Sequence, residues 1–236
     1  MKRLFLVAFG FLSAFQALAF NFSLSESEFN TWDERCKIAF SVSGAGKKSG
    51  FYQNMAPRQN ADMKRFGEEA GGAWHYCAGL ILLHRANSTS GKEREENLIR
   101  AAKEINFTVA RIPQNHEWYP EIYVDYARAQ YLNNNKIEAF TTLKRLTTTH
   151  PTHSLAYTAL AYYLKKENQL EQAIAALQQA PELLLNESAE LNYFLGWYLM
   201  EANRAEAAVV YAKRAYELDY PVPTLRQRLA TKGLSW

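Results

Sequence analysis

The chain lacks an excess of charge of either sign. Its 236 residues hold 27 Lys plus Arg against 24 Asp plus Glu, and two of those cations, Lys2 and Arg3, stand at the extreme N-terminus. From residue 20 onward the balance is 25 basic to 24 acidic side chains, a net +1, which excludes the concentrated positive surface of nucleic-acid-binding proteins. Long apolar runs are also missing after the first 19 residues: nothing later approaches the roughly 20 apolar residues of a membrane-spanning helix. There is no HExxH, no GxSxG and no pair of carboxylates with identifiable partners, so no familiar hydrolytic motif is present and no enzyme is expected. Cysteine is nearly absent, with Cys36 and Cys77 alone.

What is present begins with "MKRLFLVAFGFLSAFQALAF". Lys2 and Arg3 precede an uncharged, mainly apolar run from Leu4 to Phe15, and Ala17-Leu18-Ala19 forms a small-x-small cleavage site. This predicts a signal peptide over residues 1–19 and Phe20 as the mature N-terminus. An uncleaved anchor is the alternative, but the apolar run is short for a spanning helix. No cysteine follows the cleavage site, so a bacterial lipid anchor is not encoded. The expected address is therefore export, to a bacterial periplasm or, failing that, to the medium. In an oxidising compartment Cys36 and Cys77 are expected to pair, with two buried free thiols as the alternative.

From about Pro120 the chain repeats itself. Setting "YVDYARAQYLNNNKIEAFTTLKRLTTTHP" (123–151) over "YTALAYYLKKENQLEQAIAALQQAP" (157–181) places Ala127, Ala139, Leu143 and Leu146 on Ala161, Ala173, Leu177 and Ala180, an offset of 34 residues. A third copy (194–221) matches with Gly196, Ala208, Ala212 and Ala215, one residue late. Small residues on both helices of a pair allow the backbones to approach, while Tyr123, Tyr126, Leu160 and Leu195 fill the layer between pairs. Turn signals recur between the two helices at Asn133-Asn134-Asn135, Glu167-Asn168 and Ala202-Asn203. This pattern resembles the tetratricopeptide repeat family.

The resemblance implies an all-α, tetratricopeptide-type α-solenoid of three to four helix-turn-helix repeats. The expected divisions are a signal peptide (1–19), an N-terminal helical block with a Gly/Lys loop (20–70), repeats of which the first is degenerate (71–221), and a C-terminal capping helix (222–236). In the degenerate unit Trp74, Cys77, Ala78 and Ile81 take first-helix positions, and Ser90 is expected to cap the second helix with Glu93 as its partner. The first helices of such stacks line a concave face. Carried onto this sequence, that face holds Arg128 and Tyr131 in the second unit, Tyr162, Lys165 and Lys166 in the third, and Tyr193 and Trp197 in the fourth. Burial of Tyr162, Tyr193 and Trp197 against the N-terminal block or the cap is the competing expectation, since aromatics at helical spacing are often core.

The N-terminal block reads as one helix capped at Ser25 or Ser27, with Phe29, Trp32, Cys36 and Phe40 near one face. A second is expected from near Asp62 through "GGAWHYCAGL", its small residues packed closely by the first. "SGAGKKSG" (43–50) between them resembles a phosphate-binding loop, but Gly46-Lys47 is followed by Lys48 and the spacing fails, so no nucleotide is expected. A tight connection using positive φ at its glycines is the plainer account; a partner contact through Lys47, Lys48, Phe51 and Tyr52 is the functional one. Cys77 and His84 share a helix face, but no oxyanion donor accompanies them. His150 and His153 ("HPTH") are too few for a metal site, and no cofactor is expected.

The expected function is a non-enzymatic scaffold that binds a peptide or helix in its concave face, the partner being a protein of the cell envelope with apolar anchors and some negative charge. A glycan or small-ligand module using the same aromatics is the alternative.

Overall fold

The computed structural model describes residues 22–50 and 61–235. The signal-peptide segment, Phe20, Phe51 and Tyr52 lie outside the described residues. Within them every regular element is a helix.

Ser25 opens α1 (Glu26–Thr31) with a capping box: its hydroxyl accepts from the Glu28 amide while the Glu28 carboxylate accepts from the Ser25 amide. The single helix expected here is two. Trp32 turns extended (φ −69°, ψ 149°), and Asp33 caps α2 (Glu34–Val42) by accepting from the Arg35 amide. Phe29, Trp32, Cys36 and Phe40 are nonetheless all buried. Ser43 then caps one turn, α3 (Gly44–Lys47), so the Gly/Lys loop is partly helical. None of Gly44, Gly46 and Gly50 has positive φ. Gly46 is required for space instead, since a Cβ there would lie 1.9 Å from the Phe40 carbonyl oxygen.

The second expected helix is also two, α4 (Ala61–Glu69) and α5 (Ala73–Ser88). Gly71 and Gly72, at φ +52° and +86°, make the break, in the left-handed region that glycine enters at no steric cost. The close approach of the N-terminal block falls at Gly67, where a Cβ would meet the Ala39 Cα at 3.2 Å. Gly79, expected to serve that approach, faces α6 (Gly91–Val109): a Cβ on it would sit 2.5 Å from the Ile105 side chain. Ser90 takes the N-cap position of α6, but its hydroxyl makes no cap hydrogen bond.

Helix pairs follow one another: α7 (Tyr119–Leu132) with α8 (Lys136–Thr149), α9 (Ser154–Lys166) with α10 (Leu170–Gln178), and, after the short α11 (Glu182–Glu187), α12 (Ala189–Glu201) with α13 (Ala205–Glu217). Each pair packs within itself and on the next, and the first helices α7, α9 and α12 also touch in sequence. Ala127 and Ala139, Ala161 and Ala173, and Gly196 and Ala208 are buried where the pairs cross. α10 stops early because Pro181 begins α11. The last helix, α14 (Thr224–Ala230), has Pro223 at its N-cap and buries Leu225 and Leu229 completely. The hydrophobic effect at roughly 25 cal/mol per Å² holds this stack together.

Two of the ties that fix the N-terminal block to the stack are a disulfide and an arginine. Cys36 on α2 and Cys77 on α5 form a disulfide with Cα atoms 5.4 Å apart. Closing a loop of 41 residues stabilises the fold by about 4 kcal/mol on the chain-entropy account. Arg35 donates two hydrogen bonds of 2.8 Å to Glu121 on α7, with its guanidinium over Phe66 and Trp118.

Candidate functional site

A trough crosses the three first helices. One hollow of about 290 Å³ lies between α9, which contributes Tyr162, Lys165 and Lys166, and α12, which contributes Tyr193, Phe194, Trp197 and Tyr198. Glu201 organises it: one carboxylate oxygen accepts from the Lys165 ammonium at 2.8 Å and from the Trp197 indole N–H at 2.7 Å. The ammonium groups of Lys165 and Lys166 stand 5.3 and 5.4 Å from the ring centres of Tyr198 and Tyr162, within cation-π range. Tyr162 is 44% exposed. An apolar floor with fixed cations at its edge suits a side chain with an apolar body and a negative end.

A second hollow of about 280 Å³ adjoins the first and shares Tyr162 and Phe194 with it. Its other walls are Asp125 and Arg128 on α7, Leu155, Thr158 and Tyr163 on α9, and Glu190 on α12. The Tyr76 hydroxyl donates to Asp125 at 2.7 Å. Burial pushes the Asp125 carboxyl above its usual range, although that hydrogen bond and the Arg128 charge act the other way. Burial raises Glu190 as well.

Five of the residues expected in the groove, Arg128, Tyr162, Lys165, Lys166 and Trp197, line one hollow or the other with accessible surface. Tyr131 lines neither. Its hydroxyl donates to Glu167 at 2.6 Å and its ring packs on Tyr163, so it joins units two and three. Tyr193 borders the first hollow but is only 6% exposed, because Tyr220 stacks on it at 4.2 Å. Lys47 and Lys48 are exposed at the end of α3 and line neither hollow. Phe194 and Tyr198 were not foreseen, yet Phe194, Trp197 and Glu201 stand at i, i+3 and i+7 on one helical face. Asp125 and Glu190 were not foreseen either, and a lone acid in an amphipathic helix carries no distinguishing signal.

Cys77 is buried within the disulfide. His150 stacks on Tyr119 and shares a hydrogen bond with the Gln114 carbonyl. Among the described residues no group of three or more His, Cys, Asp or Glu side chains could hold a metal ion, and no helix is long and apolar enough to cross a membrane.

Stacked helix pairs of 34-residue period, closed by a capping helix, define a tetratricopeptide-type helical solenoid. Several solved chains are similar to it, two of them as follows. One, described as "MamA MSR-1 C2", is 16% identical and aligns over 64% of this chain and 91% of its own with a TM-score of 0.41. The other, "Crystal structure of MamA", is 14% identical over 68% and 95% with a TM-score of 0.43. No protein-family model matches the sequence, and no curated protein does. The fold assignment stands on the chain's own helix pairs.

Proposed function

We propose that this protein is an exported, non-enzymatic adaptor that holds a peptide or helix of another protein in the trough over α7, α9 and α12. The observation that carries the reading is Tyr162: a half-exposed aromatic at the boundary of two adjoining hollows, with cations fixed beside it. Aromatic and arginine side chains in such settings dominate binding energy at protein interfaces. The leader-like first 19 residues and the disulfide support a periplasmic site of action, in the setting of envelope assembly, polysaccharide export or pilus assembly. A peptide suits the trough better than a glycan, because the Arg228 guanidinium already lies 4.6 Å over the Trp197 ring on which a sugar would stack.

A photoreactive residue in place of Tyr162, cross-linked in the native host and analysed by mass spectrometry, tests this. One dominant envelope protein is expected, with its capture cut at least about 30-fold by Trp197→Ala in a variant whose circular dichroism is unchanged. Recovery of unlinked protein alone, or capture indifferent to Trp197→Ala, would remove the adaptor reading.

A further inference from the structure

The helix that closes the stack also reaches the trough. α14 docks on α12 at Gly196, where a Cβ would lie 2.9 Å from the Leu225 side chain. Leu225 and Leu229 are inaccessible and fix the helix, and Arg228 between them is exposed. Its guanidinium lies 4.6 Å over the ring of Trp197, the residue after Gly196. A cation–π contact needs no hydrogen-bond acceptor, and the N–H donors of a guanidinium form a rigid fork matched to a carboxylate. Arg228 has no hydrogen bond or ion pair among the described residues.

The first hollow, which Trp197 lines, is short of negative charge. Its walls include Lys165 and Lys166 and no carboxylate. Glu201 beside it is taken by Lys165 and Trp197, which leaves the charges of Lys166 and Arg228 unanswered. The second hollow favours neither sign, because Arg128 and Glu190 both line it and neither has a hydrogen bond or ion pair among the described residues.

We infer that Arg228 determines specificity at the adaptor site: the first hollow takes an aromatic side chain of the partner, and Arg228 binds the carboxylate of an Asp or Glu side chain near it in the same segment. This rests on the adaptor reading and adds to it the chemistry of the bound segment and a part for the capping helix in recognition. Five of the seven residues lining the hollow are aromatic, and ring pairs gain from edge and offset contacts beyond their burial. At about 290 Å³ the hollow lies at the small end of ligand sites, which suits one bulky side chain. Because Arg228 rests on a residue of the hollow's wall, the aromatic and the acid are neighbours along the partner. In a helix that means positions three or four apart.

Random 12-residue peptides, fused to a phage coat protein through their C-termini so that no terminal carboxylate is free, are selected on the purified full chain to test this. Enriched sequences are expected to carry an aromatic residue with Asp or Glu at one fixed spacing from it. For a synthetic, C-terminally amidated peptide of that consensus, Arg228→Gln should weaken binding about tenfold. Replacing the peptide's acid by its amide should do the same, and both changes together should cost little more than either alone. Arg228 is exposed and outside the buried contacts of α14, and matching thermal melts check that the variant is folded. A consensus without the acid, an affinity indifferent to Arg228→Gln, or losses that multiply to about a hundredfold in the double change overturn the inference and, with binding still lost in Trp197→Ala, leave the adaptor reading standing. Peptides that bind Trp197→Ala as well as the wild type, or no enrichment at all, remove both.

Discussion

Asparagine at φ near +60° is the residue on which the repeat turns. Asn134, Asn168 and Asn203 adopt φ of 61°, 60° and 59°, and Asp219 takes 60° after the last repeat helix. In each case the amide of the next residue reaches back to the carbonyl five residues earlier: Asn135 to Gln130, Gln169 to Leu164, Arg204 to Leu199, and Tyr220 to Ala215. This is a Schellman closure, which satisfies carbonyls that a helix end leaves open. Asparagine and aspartate tolerate the left-handed region; β-branched residues do not. Asn168→Val is expected to cost about 1–2 kcal/mol, read as a lower urea midpoint, while Asn168→Gly should stay within a few tenths. Equal losses in both would mean that the asparagine side chain, not its backbone, closes the turn. These turns were legible in the sequence because the same local chemistry recurs at a fixed interval.

At the scale of a single element, α1 shows how a six-residue helix persists. It is too short to be stable alone. Glu28 closes its capping box and also accepts from Arg85 on α5 at 2.6 and 2.7 Å, while Arg85 donates further to the Ser23 carbonyl. The Arg85 hydrogen bonds hold the Glu28 carboxyl down at about 2. A depressed carboxyl contributes stability that is complete above its ordinary range near 4.5 and is lost as pH falls through about 2. After allowance for solvent screening, Glu28→Gln should remove about 1–2 kcal/mol at pH 7. The penalty should shrink toward zero below pH 2, as followed by acid titration of the circular dichroism signal. A constant deficit at every pH would assign the loss to packing instead. The sequence showed the buried face of this region but not its breaks. Apolar spacing runs unchanged through Trp32-Asp33, and the glycines of the Gly71-Gly72 turn are required both by their positive φ and because a Cβ there would meet Arg111 and Phe107. Gly79 was misassigned for the same reason: which neighbour fills a small-residue notch depends on contacts far along the chain.

The whole stack is finished by α14. Leu225 and Leu229 are inaccessible beneath it, and Tyr220, just before it, covers Tyr193. Removing residues 222–236 should lower the calorimetric Tm by about 5–10 °C and broaden the transition, because unit four would lose its outer neighbour. An unchanged, equally sharp transition would show that the helix closes nothing. Of the candidate site, Tyr162, Trp197, Lys165 and Lys166 were placed from their repeat positions, whereas Phe194, which lines both hollows, was not. The burial of Tyr193 and the isolation of Glu190 depend on how α12 docks against its neighbours, which no local pattern encodes. The disulfide gives the molecule a hinge end and a free end. Stacked units ordinarily peel from both extremities, but at the N-terminal side α2 is riveted to α5 and cannot lift away without it. The C-terminal helices α13 and α14 carry no such covalent tie, so fraying is expected first there, and an occupant laid across α9 and α12 would act as a splint.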